Sequence, residues 1–356
     1  MLLVEKYVFK LLVKNFFLVS LALLILLSFF KLIDEISSTE IYTFSFLSAL
    51  YYVLLLTPST YSSIASLGLL IAAVITAGSF ASNRELQILQ AGSVSVKKTF
   101  FFFLKFSSIL MLISFVLVEI FNPILSQSAE RFKAEVTGES SSISFGNIWI
   151  KDKDNYIKIS KNPGDVSFYD LTLINSKFNK INSISFSDKA RLTNNSFLID
   201  EIKSIEFSKS KEITKINTFE DFNTSLNIDP ELLSLFSKKP ENMNFIELIK
   251  QISFLKTGNM NFQNVEVELY RRLLKIPNLI AMIFIGLPFM FSYSRMINTP
   301  RASFVGISIA LFSQLLTKLF SVIALKFTAS TFFLLMVPTL ILLVVGKFFF
   351  NRLDIL

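Results

Sequence analysis

Six stretches of this sequence are long, apolar and sparsely charged: residues 16–33, 62–80, 100–125, 276–293, 304–325 and 332–350. A helix needs about 20 mainly apolar residues to cross a bilayer core, where every backbone polar group must be satisfied within the segment. Blocks like these are apolar on all sides rather than along one stripe, which is the pattern of a membrane span. A hydrophobic content of 52% and a mean hydropathy of +0.56 agree with that pattern. The sequence therefore predicts a polytopic α-helical membrane protein with six transmembrane helices. A shorter run, 49–56, stands apart from the second span at Pro58, which either extends that span or kinks it.

The charges between the spans set an orientation. Lys6, Lys10 and Lys14 precede the first span, and Asp34, Glu35 and Glu40 follow it. Arg84, Lys97, Lys98 and Lys105 sit around the next turn of the chain, Arg295 and Arg301 between spans four and five, and Lys347 and Arg352 at the end. Basic residues accumulate on the cytoplasmic side, so both termini are expected there. No small-residue cleavage site follows the first span, which reads as a retained helix rather than a signal peptide. The net charge of +8 is accounted for by these span ends, so it is a topology signal before it is a nucleic-acid signal.

The chain has no cysteine and no histidine. Thiolate chemistry, disulfides and the commonest general base and metal ligand are thereby removed. Gly346-Lys347 runs into Phe348 without the upstream glycine of a phosphate loop, and no GxSxG occurs. No catalytic site, metal site or cofactor is expected in this chain, and any ATPase activity is expected in a separate subunit.

Between the third and fourth spans the composition changes. Residues 128–257 carry short alternating runs, among them Ile148-Trp149-Ile150, Tyr156-Ile157-Lys158-Ile159 and Ile184-Ser185-Phe186. Turn formers separate them at 152–155, 162–165 and 193–195. Short strands with such turns predict an antiparallel sandwich or roll, extracytoplasmic by the orientation above. Helical patterns return over 245–255 and over 265–274, the lead-in to the fourth span. The expected division is 1–127 for spans one to three, 128–257 for the β-rich domain and 258–356 for spans four to six.

Several residues stand out. The polar stretch 79–95 lies between spans two and three, and Asn83 or Ser82 can cap a short helix carrying Arg84, Glu85, Leu86, Ile88 and Leu89. Gly92 is expected to end it in a left-handed conformation. Leu86 and Leu89 share a face, so this helix is either a packed connector or a docking element. Lys31 lies near the outer end of the first span, where snorkelling to headgroups competes with a functional role. Glu119 lies deeper in the third span, where pairing inside the bundle is expected. Glu130, Arg131 and Lys133 follow the third span, and Arg271, Arg272 and Lys275 precede the fourth. Both clusters read either as a solvated rim or as sites for an anionic amphiphile, because paired basic side chains bind phosphate.

Taken in order, these stretches resemble the lipopolysaccharide-export permeases of the LptF/LptG type, with the LptG side the better match. The carriers are Phe30-Lys31-Leu32-Ile33-Asp34-Glu35, the run from Ser82 to Gly92, Asn122-Pro123 with the charges to Lys133, Gly146 to Asp152, and Glu268-Leu269-Tyr270-Arg271-Arg272. The resemblance implies an inserted jelly-roll-like periplasmic domain and a place in the bacterial inner membrane. It implies a paralogous permease subunit, a cytoplasmic ATPase dimer, a single-span accessory protein, a periplasmic bridge protein and lipopolysaccharide as partners. It also implies that Arg84, Glu85, Leu86, Leu89 and Gly92 form the ATPase-coupling helix. Lys31 matches a family lysine that contacts the lipid's phosphates, and Arg131, Lys133, Arg271 and Arg272 are the further basic groups expected on that lipid. Ser37, Ser38, Ser59 and Glu130 stand where the family has basic residues.

Three other readings use the same features. A mechanotransmission permease working on external partners places its external domain after the first span, not the third. A membrane-embedded lipid enzyme needs convergent intramembrane acids or histidines, and Glu119 is nearly alone. A membrane anchor with a protein-binding β-domain explains the strands but not the helix near 85–91 or the intramembrane charges.

Overall fold

A computed structural model describes residues 3–38, 45–92, 94–137, 148–152, 155–161, 167–177, 180–193, 196–207, 213–224, 235, 238–257, 260–292, 299–326 and 330–351. The chain divides into two compact units. One comprises Met1–Asp34, Leu56–Asn122 and Glu266–Leu356, and the other Glu35–Leu55 and Pro123–Val265.

The helices follow the apolar blocks. The first span lies in α1, Leu3–Ser38, and the run at 49–56 is a separate helix α2, Phe46–Leu55. The second span is α3, Thr57–Ser82, and Pro58 sits in its first turn. Proline is suited to that position, because its missing N–H would have no helical partner there. It therefore starts the helix instead of kinking it. A short helix α4, Glu85–Ala91, precedes α5, Val96–Thr137, which contains the third span and runs through Pro123. That proline removes the N–H that would bond the carbonyl of Glu119. After the sheet come α6, Phe245–Thr257, α7, Gln263–Leu273, α8, Lys275–Ser292, α9, Thr299–Lys326, and α10, Thr331–Asn351.

Among the described residues five helices are long and apolar enough to cross a membrane: α1, α3, α5, α9 and α10. The fourth expected span corresponds to α8, an 18-residue helix over Lys275–Ser292. Tyr293, at the end of that expectation, lies outside the described residues, as do Glu40, Arg295 and Arg352.

The helical unit is organised around α3. In α3 78% of the most apolar stretch is buried, against 6% in α1, so α3 is central and α1 peripheral. Phenylalanine packing joins the layers, with Phe80 against Phe103, and Phe100 against both Phe284 and Phe350 at ring distances of 5.0 and 4.9 Å. Two glycines permit the closest approaches. A Cβ at Gly306 would lie 2.7 Å from Val74 Cγ1, and one at Gly346 would lie 2.6 Å from Phe284 Cβ and 2.9 Å from its backbone carbon. Small residues at such crossings let helix backbones pack in the membrane.

The other unit carries six antiparallel strands: β1 Ile148–Asp152, β2 Asn155–Lys161, β3 Ser167–Lys177, β4 Lys180–Thr193, β5 Ser196–Phe207 and β6 Ile213–Thr224. They form one sheet in sequence order, a meander. Among the described residues no strand pairs with a non-neighbour, which is the additional pairing a jelly roll would need. The turn segments 153–154, 162–166 and 194–195, together with Gly146 and Asn147, lie outside the described residues.

Side-chain parity is settled for part of the sheet. Ile157, Leu171, Ser187 and Ile202 are buried, whereas Tyr156 and Phe186 are exposed. The register pairs Ile150 with Ile157, Ile157 with Leu173 and Leu173 with Ser185. Beyond the sheet, α6 opens with a reciprocal capping box. Asn244 Oδ1 accepts from the Glu247 N–H, and Glu247 Oε2 accepts from the Asn244 N–H, each at 2.8 Å.

Candidate functional site

Helix α4 is anchored on the helical unit by one face. Leu86 is only 4% exposed and belongs to the core that includes Phe80, Phe100 and Phe103, and Leu89 packs against the same core. Gln87, Ile88 and Gln90 are exposed, Ile88 to 68%. The expected pairing of Leu86 with Leu89 is therefore found, but it faces the chain's own core. Of the large apolar residues of α4, Ile88 is the one that is exposed.

The ends of α4 differ from expectation. Arg84, not Asn83 or Ser82, occupies the N-cap position, and it takes the left-handed conformation with φ 58° and no side-chain cap bond. The turn out of α3 needs a left-handed residue one position before α4, and no glycine is present there to supply it. Such a conformation costs about 1–2 kcal/mol in a residue with a Cβ. Gly92 has φ −80°, so it ends the helix without left-handed geometry. Its N–H still makes a helical bond to the Ile88 carbonyl at 3.0 Å, and the pattern changes at Val94, whose N–H bonds the Leu89 carbonyl five residues back at 2.9 Å. Glu85, in the first turn, accepts from the Tyr7 hydroxyl at 3.3 Å and from Asn83 Nδ2 at 3.4 Å.

A second cluster lies among α3, α5, α7 and α8 in the helical unit. Glu119 pairs with Arg272 Nη1 at 3.2 Å, and Arg272 Nε donates to Glu268 Oε1 at 2.8 Å. Arg271 also pairs with Glu268. Lys275 reaches Ser62, and Tyr61 shares a hydrogen bond with Ser114 at 2.8 Å. Glu119 is thus paired within the bundle, as its depth in the third span predicts. Arg272, expected as a lipid-phosphate contact, is instead a buried guanidinium between two carboxylates. Its charge is already compensated, so it offers no free fork to a phosphate. Glu268 opens the Glu268-Leu269-Tyr270-Arg271-Arg272 run. Its spacing of three and four residues from the two arginines is the signal that identifies their partner.

The remaining basic residues separate. Lys31 donates to Thr60 Oγ1 at 2.8 Å, so its ammonium joins α1 to α3. In the other unit Lys133 forms an ion pair with Glu35 and lies 5.3 Å from the Tyr52 ring centroid, and Lys239 lies 3.9 Å from Glu130. Arg131 is exposed. Of the two basic clusters read from the sequence, Lys133, Arg271 and Arg272 are paired with carboxylates, and Arg131 is exposed.

Comparison with known proteins bears on both the spans and the sheet. Residues 6–352 match the family described as "Lipopolysaccharide export system permease LptF/LptG". The lipopolysaccharide export system permease protein LptG of Haemophilus influenzae is 21% identical over 357 residues, covering 98% of each chain. The protein of the same description from Escherichia coli is 19% identical over 327 residues, 91% of each. A match that runs from the start of α1 to the end of α10, with the β-strands inside it, covers the helical bundle and the inserted sheet together. The chain belongs to the LptF/LptG family of lipopolysaccharide export system permeases.

Proposed function

We propose that this chain is one transmembrane subunit of an ATP-driven exporter that takes lipopolysaccharide from the inner membrane and passes it to a periplasmic bridge. It works beside a paralogous permease and a single-span accessory protein, on a cytoplasmic ATPase dimer. In this reading α8 completes six spans with both termini in the cytoplasm. The sheet lies in the periplasm and closes into a jelly roll around the lipid's acyl chains. Keeping those chains out of water matters, because each exposed methylene costs about 0.8 kcal/mol.

The observation that carries the reading is α4, a seven-residue helix fixed to the bundle through Leu86 while Ile88 stands 68% exposed. A connector needs no such apolar projection. A helix that passes force from a separate ATPase needs both a rigid seat and a protruding contact, and α4 has both. Lys31 and Arg131 are the basic groups assigned to the lipid phosphates, with Lys31 exchanging its Thr60 hydrogen bond for a stronger, charged one.

Co-expression with the ATPase subunit tests this. Ile88→Asp places an unpaired charge in the proposed contact, a penalty of several kcal/mol. The variant is expected to insert and fold but to lose ATPase co-purification. Undiminished co-purification would refute the coupling role of α4.

A further inference from the structure

One cation of the α3–α5–α7–α8 cluster has no carboxylate of its own. Lys275 opens α8, and its ammonium donates to Ser62 Oγ at 2.7 Å and to the Ser62 carbonyl at 3.2 Å. Both acceptors are neutral, and among the described residues no carboxylate comes within 4.0 Å of it. The charged groups that act on it are Glu268, Arg271, Arg272 and Glu119. Glu119 is paired with Arg272, and Glu268 with both arginines. Two carboxylates against three cations leave the group one positive charge in excess, and Lys275 holds it. A half-buried charge with no counter-ion of its own is destabilising. A lysine ammonium also has three N–H donors, of which Ser62 takes two.

The same side chains enclose a cavity. Ser62, Ser114, Glu119, Asn122, Arg272 and Lys275 supply its polar lining, and its volume is about 10 Å³. That is room for a single water-sized atom, not for a whole headgroup. Ser62 is the sixth residue of α3 and Lys275 the first of α8, so these two side chains sit near the starts of their helices.

We propose that this cavity is an anion subsite that seats one phosphate oxygen against the Lys275 ammonium. The oxygen comes from a phospholipid headgroup or from free phosphate. The ion pairs of Glu119 and Glu268 with the arginines keep those carboxylates from repelling it, and one bound anion brings the cluster to neutrality. The proposal goes beyond the export reading and holds whether or not the chain moves lipopolysaccharide.

The test uses the purified full-length chain in a neutral detergent, with unfolding followed by temperature. One arm replaces sodium chloride with sodium phosphate at constant ionic strength. The other adds phosphatidylglycerol to the micelles, with phosphatidylcholine as the uncharged comparison. The expected result is a saturable rise in the unfolding midpoint with phosphatidylglycerol, with phosphate, or with both. A response to phosphate alone assigns a free anion, and a response to phosphatidylglycerol alone assigns the headgroup. Lys275→Met and Lys275→Gln are expected to weaken the apparent affinity at least tenfold. The glutamine keeps a donor for Ser62, so a folded variant remains if methionine disturbs packing. An unresponsive wild type, or an equal response in the Lys275 variants, would overturn the proposal.

Discussion

Helix α4 gives the sharpest quantitative expectation, because two apolar residues two positions apart are placed oppositely. Leu86 is 4% exposed inside the core, and Ile88 is 68% exposed. Leu86→Ala deletes a buried isobutyl group's outer carbons and leaves a cavity that the surrounding phenylalanines, themselves in ring contact, cannot readily fill. Large-to-small changes of this kind cost about 2–5 kcal/mol, and the short helix has few other anchors, so about 2–4 kcal/mol is expected here. Ile88→Ala removes an exposed side chain and is expected within about 0.5 kcal/mol of wild type. Denaturant unfolding of the purified full chain in mixed micelles reads both, with limited proteolysis at Arg84 reporting release of α4. In the assembled complex the order reverses: Ile88→Ala weakens retention of the ATPase while Leu86→Ala acts only by loosening the seat. Equal stability losses for the two variants in the isolated chain would refute the orientation of α4, and with it the account of how force enters the bundle.

Gly346→Ala is expected to destabilise by about 1–3 kcal/mol, since the added Cβ meets the Phe284 backbone carbon at 2.9 Å; an unchanged unfolding midpoint would show that α8 and α10 do not cross there. Arg272→Met leaves Glu119 and Glu268 short of a buried counter-charge, a loss of about 3–5 kcal/mol. Restoration of the midpoint by the added change Glu119→Gln is the expected outcome, and its failure would mean that the pair does not set stability. For Lys31, Thr60→Val removes only the α3 acceptor, whereas Lys31→Asp reverses the charge presented to lipid phosphate. Export measured in cells is expected to survive the first and fail in the second; loss in both would assign Lys31 to holding α1 against α3.

The apolar blocks determined which segments become long helices, because a stretch apolar on every side has one stable secondary structure in a bilayer. The strand runs at 148–151, 156–159 and 183–186 and the helical patterns at 245–255 and 265–274 were legible for the same local reason, alternation or a 3.6-residue period. Glu119 was marked as a paired group by its depth alone. What local pattern could not carry was the partner that a charge finds on another helix. Arg272 and Lys275 stand three residues apart with the same formal charge. Only the packing of α5 against α7 gives Arg272 its second carboxylate, Glu119, and only the approach of α3 gives Lys275 the neutral Ser62. Likewise the spacing of Leu86 and Leu89 fixed a shared face without saying which way it turns. Electrostatic pairing and burial depend on distances between residues far apart in the chain, and those distances exist only once the helices have packed.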